Sequence, residues 1–275
     1  KKHTRAEIDD AVRKPGRREQ CELFSDVMYV RERGVLVTLA EPLGLLMVNN
    51  LETQTANEIG GALVSHASAL RSRGYDVQVA HVDPQSSMRT PQGQFETFEL
   101  DVGGAGDHLE KVDAKIRRLK EVMRSVLVSL PYKIPSKLLV PMCKYAASRH
   151  NLKKSSSNGS KESPRVAFTG MTPNYVKELA ISFGEYVECF KPSCKSNNVE
   201  SERSEPCIAL YPAGNAIGSW YFMNIKTRKV VRRTHYQKMV TTPLVIDVMN
   251  AWTAEESQRG NIAEIDEFVE CVPCD

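Results

Sequence analysis

The chain has 275 residues, of which 41% are hydrophobic, and it carries a formal net charge of +3 at pH 7. A chain of this length can bury one sizeable core together with a smaller module. No uninterrupted apolar run approaches the roughly 18 residues of a membrane span, and residues 1–20 have no apolar signal core. Neither a membrane span nor a secretory signal is therefore predicted.

The first elements predict an antiparallel group of three strands. After a basic leader at residues 1–20, three strand-like runs lie between Glu22 and Asn49, and Glu41-Pro42 marks the turn between the second and third runs. Connections this short imply antiparallel neighbours. The chain begins at Lys1 rather than Met, which indicates a fragment or a processed product.

A helix and two further strands follow. Residues 52–73 have the apolar spacing of a helix, with Thr53 or Thr55 as its N-cap. Residues 76–82 are typical of a buried strand, and a strand reached through a helical crossover runs parallel to its neighbour in the sheet. In such a βββαβ order, the fourth strand can lie beside the first. Residues 97–102 predict one more strand.

The clearest helical pattern lies near the middle of the chain. From Leu109 to Leu130, apolar residues recur in steps of three and four, until Pro131 ends the pattern. A second helix is predicted at residues 136–148. The predicted fold class is therefore α/β, with a mixed five-stranded sheet flanked by helices and contained in residues 21–150.

The second half of the chain has a different composition. Residues 151–165 are polar and low in complexity, which is typical of a linker or an exposed loop. Residues 166–250 contain short strand-like runs punctuated by glycine, proline and asparagine, and they predict a small β-rich module. Residues 251–275 form an acidic tail with seven acidic residues and one basic residue, which leaves a net charge of +9 on residues 1–250. An acidic tail on a basic body fits a protein that binds polyanions.

Three aspartates carry the main functional hypothesis. Asp26 lies within the first strand, Asp83 directly follows the fourth strand, and Asp113 lies on the long helix beside its apolar stripe. Carboxylates brought together repel one another unless a cation neutralises them, and Mg²⁺ (or Mn²⁺) prefers such oxygen ligands. Two such ions drive in-line attack on phosphodiesters. The joint pattern predicts a two-metal site, with Glu110 as the alternative to Asp113.

Each acid also has a simpler explanation. Asp83 stands before a proline and could start a turn. Asp26 could occupy a capped or an exposed edge position, and Asp113 could be a surface acid that pairs with Arg117. His81 shares its strand face with Asp83, where it could support the acid or, more commonly, pack in the core.

Two groups of basic residues accompany the acids. Lys115, Arg117, Lys120 and Arg124 follow Asp113 along the long helix, and Arg232, Arg233 and Lys238 lie in a stretch without acids at residues 226–238. Basic ridges of this kind bind a phosphate backbone. A solvated helix face and an exposed basic hairpin have the same composition and stay open as alternatives.

The ordered set of acids resembles the catalytic core of retroviral-type integrases, and it is most similar to the integrase region of copia-type LTR retrotransposon polyproteins. The resemblance rests on segments such as GVLVTLAEPLGLLMV, HVDPQSS, GGAGDHLEKVDAKIRRLKE, SPRVAFTG, CIALYPAGNAIGSW and VRRTHYQKMVTT, and it covers about residues 22–250. It implies an RNase H-like fold in which Asp26, Asp83 and Asp113 are catalytic metal ligands, followed by a β-rich module.

The resemblance also implies partners and a location. DNA would be the substrate, and the protein would form a homo-oligomer and work with other parts of a retrotransposon polyprotein. It would act in the nucleus or in a cytoplasmic virus-like particle. Seven scattered cysteines independently favour a reducing, intracellular compartment.

Two departures from the family pattern keep other functions open. The third acid of the family is usually glutamate, whereas this chain has Asp113, and Pro84-Gln85-Ser86 stands where Asn-Gly-Gly often follows the second acid. A catalytically decayed or domesticated integrase-derived protein that binds DNA is therefore the second hypothesis. A stand-alone RNase H-like nuclease is the third.

Overall fold

The computed structural model describes residues 19–82, 98–102, 109–154, 162–191 and 202–259. The first sheet consists of β1 (Glu19–Val30), β2 (Arg33–Glu41), β3 (Leu45–Leu51), β4 (Tyr75–Val82) and β5 (Glu99–Asp101). Its helices are α1 (Ala56–Arg71), α2 (Leu109–Ser129) and α3 (Leu139–Asn151), the last preceded by a 3₁₀ turn at Ser136–Leu138. Two short helices, α4 (Pro164–Thr169) and α5 (Tyr175–Glu178), lead to β6 (Tyr186–Phe190), β7 (Ser204–Pro212), β8 (Trp220–Asn224), β9 (Val230–Arg233), β10 (Tyr236–Lys238) and α6 (Pro243–Arg259).

The first sheet is mixed, in the order β3-β2-β1-β4-β5. The first three strands pair antiparallel, whereas β4 runs parallel to β1 and β5 runs parallel to β4. The prediction of an α/β protein with a mixed five-stranded sheet is confirmed. The fourth strand also lies beside the first, because α1 carries the chain across the sheet before β4 begins.

The start of α1 distinguishes between the two predicted caps. The Thr55 hydroxyl accepts a hydrogen bond from the Glu58 amide at 3.4 Å, and the Glu58 carboxylate accepts bonds from the amides of Thr53 and Gln54 at 2.8 and 2.9 Å. These bonds satisfy amides that have no partner within the helix. Thr55 is therefore the N-cap, and the helix begins four residues later than the apolar spacing predicted.

The two faces of the first sheet bury different helices. On β1, Phe24, Met28 and Val30 share a core with residues of α2 and α3, whereas Cys21 and Leu23 share a core with residues of α1. Since alternate strand residues point to opposite faces, this arrangement makes the sheet the middle layer of a sandwich. The same alternation puts position 26 on the face covered by α2.

The second sheet is antiparallel throughout, in the order β10-β6-β7-β8-β9. Its inner residues belong to the same buried cluster as α2 and α3. Arg149 of α3 joins the two regions, because its guanidinium donates to the carbonyls of Glu178 and Ile181 at 2.8 Å each and lies 4.7 Å from the centroid of the Tyr145 ring. Both sheets therefore pack around α3.

Helix α6 crosses the position where the sequence predicted the acidic tail to start. Met249, Trp252 and Thr253 are buried, and Arg228 lies 5.0 Å from the Trp252 ring while it pairs with Glu255 at 2.7 Å. The helix continues to Arg259 because these contacts bury one of its faces. Residues 1–18, 155–161 and 260–275 of the predicted leader, linker and tail lie outside the described residues. Among the described residues, no helix is long and apolar enough to cross a membrane.

Candidate active site beside the β1–β4 pair

Asp26 lies in the middle of the first sheet. Its position in β1 pairs with Val37 of β2, and its side chain is half-buried on the face that carries Phe24 and Met28. One carboxylate oxygen accepts a hydrogen bond from the Val27 amide at 2.6 Å. A carboxylate in this setting is costly to bury unless its charge is compensated, so the alternative of an exposed edge position is excluded.

The parallel pairing of β1 with β4 leads toward the second predicted acid. The pairing register includes Phe24 with His81 and ends with Ser25 beside Val82. In the sequence, Ser25 directly precedes Asp26, and Val82 directly precedes Asp83. Asp83 itself lies outside the described residues, so the structure reports where the strand leading to it ends and no more.

His81 is held firmly next to this strand end. Its ring stacks on Phe24 with a centroid separation of 4.7 Å, and only 14% of its side chain is exposed. Nδ1 lies 2.8 Å from the Asp101 carboxylate on β5, and Nε2 lies 3.7 Å from the Glu22 carboxylate on β1. The histidine therefore joins three parallel strands and packs as a core residue does, flanked by two acids that the sequence did not suggest.

Helix α2 runs along β1 in the same direction as the strand. Near the start of the helix, Lys111 Nζ lies 5.3 Å from the centroid of the Phe24 ring, and further along, Arg124 borders a hollow with Val30. At about 1.5 Å per helical residue and about 3.3 Å per strand residue, the helix from Lys111 to Arg124 and the strand from Phe24 to Val30 are both about 20 Å long. Asp113 therefore lies level with β1 just after Phe24, and its side chain is exposed.

Two of the predicted acids thus belong to one region. Asp26 and Asp113 lie on elements that pack together on the same face of the sheet, at similar heights. Within the part of the chain that the structure describes, no group of three or more His, Cys, Asp or Glu side chains could hold a metal ion. Because Asp83 lies outside that part, the predicted set is represented there by two members. Glu110, the alternative ligand, is exposed one turn before Asp113.

The predicted cations of α2 are not neutralised by ion pairs within the part of the chain that the structure describes. Arg117 and Arg124 are exposed and Lys120 is half-buried, and none of the three forms an ion pair with another described residue. Lys115 lies on the opposite side of the helix. Burial raises the pKa of the Glu41 carboxyl, and Lys111 and Lys115 oppose that rise. The side of α2 that bears Asp113 therefore presents positive charge to solvent.

The predicted cations of the second sheet are mostly paired. Arg233 binds Glu205 at 2.6 Å, with side chains that are 19% and 14% exposed, and Lys238 binds Glu185 at 2.8 Å. Arg232 is exposed and forms no ion pair with the described residues. The basic stretch at residues 226–238 is therefore less positive in the fold than in the sequence.

Sequence reasoning missed a buried polar group on the other face of the sheet. Ser25 Oγ donates to Thr38 Oγ1 at 2.9 Å, and His66 Nδ1 lies 3.0 Å from the same hydroxyl. Burial, reinforced by nearby Lys144, lowers the pKa of His66 to about 4. The three side chains are buried under α1, so they hold the helix to the sheet. A polar residue within an apolar run was the available signal at Ser25 and Thr38.

The fold and the site together define a class: a mixed α/β protein with half-buried and exposed carboxylates beside a basic helix, on which three cations form no ion pair with the described residues. Comparison with known proteins adds no name to that class. No family model matches the sequence, and no curated protein matches it. The functional inference therefore depends on the residues themselves.

Proposed function

We propose that this protein is integrase-like and catalyses metal-dependent phosphoryl transfer on DNA, with Asp26, Asp83 and Asp113 as its catalytic carboxylates. One observation carries the proposal. The parallel β1–β4 pairing runs to Ser25 and Val82, the residues immediately before Asp26 and Asp83. If the pairing continued by one residue, the two acids would be direct neighbours on one sheet.

The topology of the first sheet supports the same proposal. The resemblance to integrases implies an RNase H-like fold, in which three antiparallel strands are followed by a helical crossover and a fourth strand beside the first. The order β3-β2-β1-β4-β5, with β4 parallel to β1, is compatible with that fold. Helix α2, which carries the third acid, packs on the face where Asp26 lies.

The residues present fit a hard divalent cation. Asp26 and Asp113 offer carboxylate oxygens, which are the ligands that Mg²⁺ (or Mn²⁺) prefers, and a half-buried carboxylate at Asp26 gains from a nearby positive charge. Asp83 would complete the set. Metal ions bound there would stabilise the attacking and leaving oxygens of a displacement at phosphorus.

The chain's own residues would hold the DNA in place. Arg117, Lys120 and Arg124 extend from Asp113 along α2 and form no ion pair with the residues that the structure describes, so their charges would bind phosphates. His81, stacked on Phe24 and bonded to Asp101, would fix the end of β4 just before Asp83. Positioning of this kind matters because phosphoryl transfer relies mainly on orientation and charge stabilisation.

The test uses a matched pair of substitutions on the β4 segment. Asp83→Asn removes a ligand charge with little change in shape, and we expect it to abolish Mg²⁺-dependent nicking and joining of a labelled duplex. Asp76→Asn is the control, because Asp76 lies near the other end of β4 and bonds to Gln78 at 2.7 Å. Unchanged nicking by Asp83→Asn would disprove the proposed chemistry.

A second candidate, DNA binding without catalysis, is favoured by one observation. Asp113 is exposed and is one methylene shorter than the glutamate that the integrase resemblance implies. A protein of this kind would bind DNA with a steep dependence on salt and would show no Mg²⁺-dependent cleavage. Nicking by Asp113→Glu but not by the wild-type protein would favour this candidate. The shorter side chain of Asp113 would then explain why the wild-type site is inactive.

A further inference from the structure

Three cations and one exposed apolar residue form a line along one side of α2. They occur at steps of three or four residues, which places them on the same side of the helix: Arg117, Lys120, Arg124 and Val128. The three cations form no ion pair with the residues that the structure describes, and Val128 is 87% exposed. This line of four residues, the α2 ridge, is about 17 Å long at about 1.5 Å per residue.

The chain leaves α6 near the C-terminal end of the α2 ridge. Glu256 of α6 accepts a hydrogen bond from the Ser136 amide at 2.6 Å, and the Ser136 hydroxyl accepts one from Arg31 at 3.2 Å. Arg31 and Arg124 both border the hollow at the end of β1. Helix α6 ends three residues after Glu256, about 4.5 Å further along its axis. The segment that follows α6 therefore starts close to the ridge.

The sequence of this segment carries charge of the opposite sign. Residues 260–275 contain five acidic residues and no lysine or arginine. Four of the acids are grouped within seven consecutive positions: Glu264, Asp266, Glu267 and Glu270. Ile262 precedes the group, so an apolar side chain comes first along the chain and the carboxylates follow. The α2 ridge has the matching composition, with Val128 at the end nearest to α6 and cations beyond it.

The segment is long enough for its acids to contact the ridge. A chain spans at most about 3.3–3.6 Å per residue. Glu264 can therefore lie up to about 18 Å from the end of α6, and Glu270 up to about 40 Å. The distance along the ridge from Arg124 to Arg117 is only about 11 Å. The acids can thus reach each of the three cations without any change in the described fold.

Other cations close to these elements are already bound. Beside α6, Arg228 pairs with Glu255 at 2.7 Å. On α2 itself, Arg118 pairs with Glu121, and Lys115 lies on the opposite side of the helix. The α2 ridge therefore combines a position near the end of α6 with cations that form no ion pair among the described residues.

From these observations we infer that residues 262–270 dock on the α2 ridge of the same molecule, with their carboxylates against its three cations and Ile262 against Val128. Exposed ion pairs are individually weak, but a tethered segment acts at an effective concentration in the millimolar range. The docked segment occupies the cations that bind DNA phosphates in the proposed function, on which this regulatory role rests. It is an autoinhibitory contact that DNA displaces and that salt weakens.

Zero-length crosslinking of the wild-type chain tests the contact directly. A carbodiimide joins a lysine amine to a carboxylate that touches it, with loss of water, and Lys120 is the one lysine of the α2 ridge. We expect mass spectrometry of the monomeric protein to find Lys120 joined to an acid within residues 264–270. The link should be lost in about 0.5 M salt, where exposed charges are screened, and also when duplex DNA is added.

Lys115 provides a control within the same protein. It lies on the opposite side of α2, near Glu41, and should give no link to residues 264–270. The inference is overturned if Lys115 is linked as often as Lys120, or if the link to Lys120 occurs only in crosslinked dimers. It is also overturned if the acids are joined to lysines of residues 1–18 in place of Lys120. The second result would identify another copy of the chain as the occupant, and the third would identify the basic leader as the binding surface.

Duplex DNA affinity measures the regulatory effect. A variant with both Glu264→Gln and Glu267→Gln should bind a labelled duplex about fivefold more tightly than wild type at low salt, because two exposed pairs contribute little each. The difference should vanish in about 0.5 M salt. Glu19→Gln combined with Asp247→Asn changes the charge equally at exposed positions on β1 and α6, and should change affinity less than about twofold. Equal gains in the two variants would indicate a general charge effect and overturn the inference.

The crosslinking assay and the nicking assay fail independently. Crosslinking requires neither metal nor DNA, so a link at Lys120 with no effect of Asp83→Asn on nicking would support the docked segment and disprove the proposed chemistry. Loss of nicking in Asp83→Asn without a link at Lys120 would do the reverse.

Discussion

The two basic regions of this protein look alike in the sequence and differ in the fold. On α2, Arg117, Lys120 and Arg124 have no ion-pair partners among the described residues. On the second sheet, Arg233 and Lys238 are bound to Glu205 and Glu185. The comparison shows that a count of charges predicts a polyanion-binding surface only after internal pairs have been subtracted.

The difference has a structural origin. Helix α2 packs on the sheet through its apolar stripe, so side chains outside the stripe point to solvent. On the helix surface such a side chain can pair only with residues three or four positions away in the sequence. Adjacent strands, in contrast, bring residues far apart in sequence into cross-strand contact. Glu205 precedes Arg233 by 28 residues, and it also accepts a bond from Asn224 at 2.8 Å.

The largest effect should come from breaking the most enclosed of these pairs. Glu205→Gln leaves the Arg233 guanidinium poorly exposed and without a counter-ion, and Arg233 Nε already has no hydrogen-bond partner. We expect a loss of about 2–4 kcal/mol in the free energy of unfolding, measured by urea denaturation.

Glu185→Gln provides the matched control on the same sheet. It breaks the Lys238 pair, which is more exposed, so the expected loss is about 0–1 kcal/mol. A double variant with Glu205→Gln and Arg233→Gln should recover part of the first loss, because no unpaired charge remains. Equal effects of the two glutamate substitutions would contradict the expectation that the less exposed pair costs more to break.

Duplex DNA binding gives the next largest effect and tests the comparison directly. Substituting both Arg117 and Arg124 with glutamine should reduce the salt slope by about 1.8, since each phosphate contact on B-DNA contributes about 0.9. Substituting both Lys226 and Lys238, which pair with Glu202 and Glu185, should change the slope much less. If the second double variant lowers the slope as much as the first, both surfaces contact DNA and the difference between them fails; a larger decrease in the second would reverse the comparison.

Most of the first sheet follows from local sequence rules. The strands around Asp26 were predictable because apolar runs and turn residues specify β1 to β4 within a few positions, and the helical crossover specifies a parallel β4. The acidic tail was predicted from composition, yet α6 runs through residue 250 since Met249 and Trp252 are buried. The i, i+3 spacing of those two residues was the signal for a continuing helix.

The candidate site was less predictable than the fold. The sequence placed Asp26 on β1 and Asp113 beside the apolar stripe, and spacing rules suffice for both positions. The contacts of His81 with Asp101 and Glu22 depend on strand register across β1, β4 and β5, which spacing rules do not specify.

The smallest expected effect concerns the charge around His150 of α3. Burial lowers the pKa of His150 to about 4, with Lys115, Lys153 and Arg118 reinforcing the shift and the Gly44 carbonyl opposing it. Because this pKa is below the value of about 6.5 in the unfolded chain, the histidine of the unfolded state takes up its proton at a higher pH than that of the folded state. Stability should therefore fall as pH drops from about 6.5 toward 4 and level off below that.

His66 gives an internal reference for the contribution of the basic residues. Its pKa is also lowered to about 4, by burial first and by Lys144 second, so Lys115→Gln should leave it unchanged. The same substitution should raise the pKa of His150 toward 6.5 by a fraction of a unit, because a cation near the ring favours the neutral form. NMR titration of both rings measures the two shifts in one sample. Equal movement of both histidines would indicate a general structural change, whereas movement of His150 alone would show that the charge of Lys115 acts on the His150 ring.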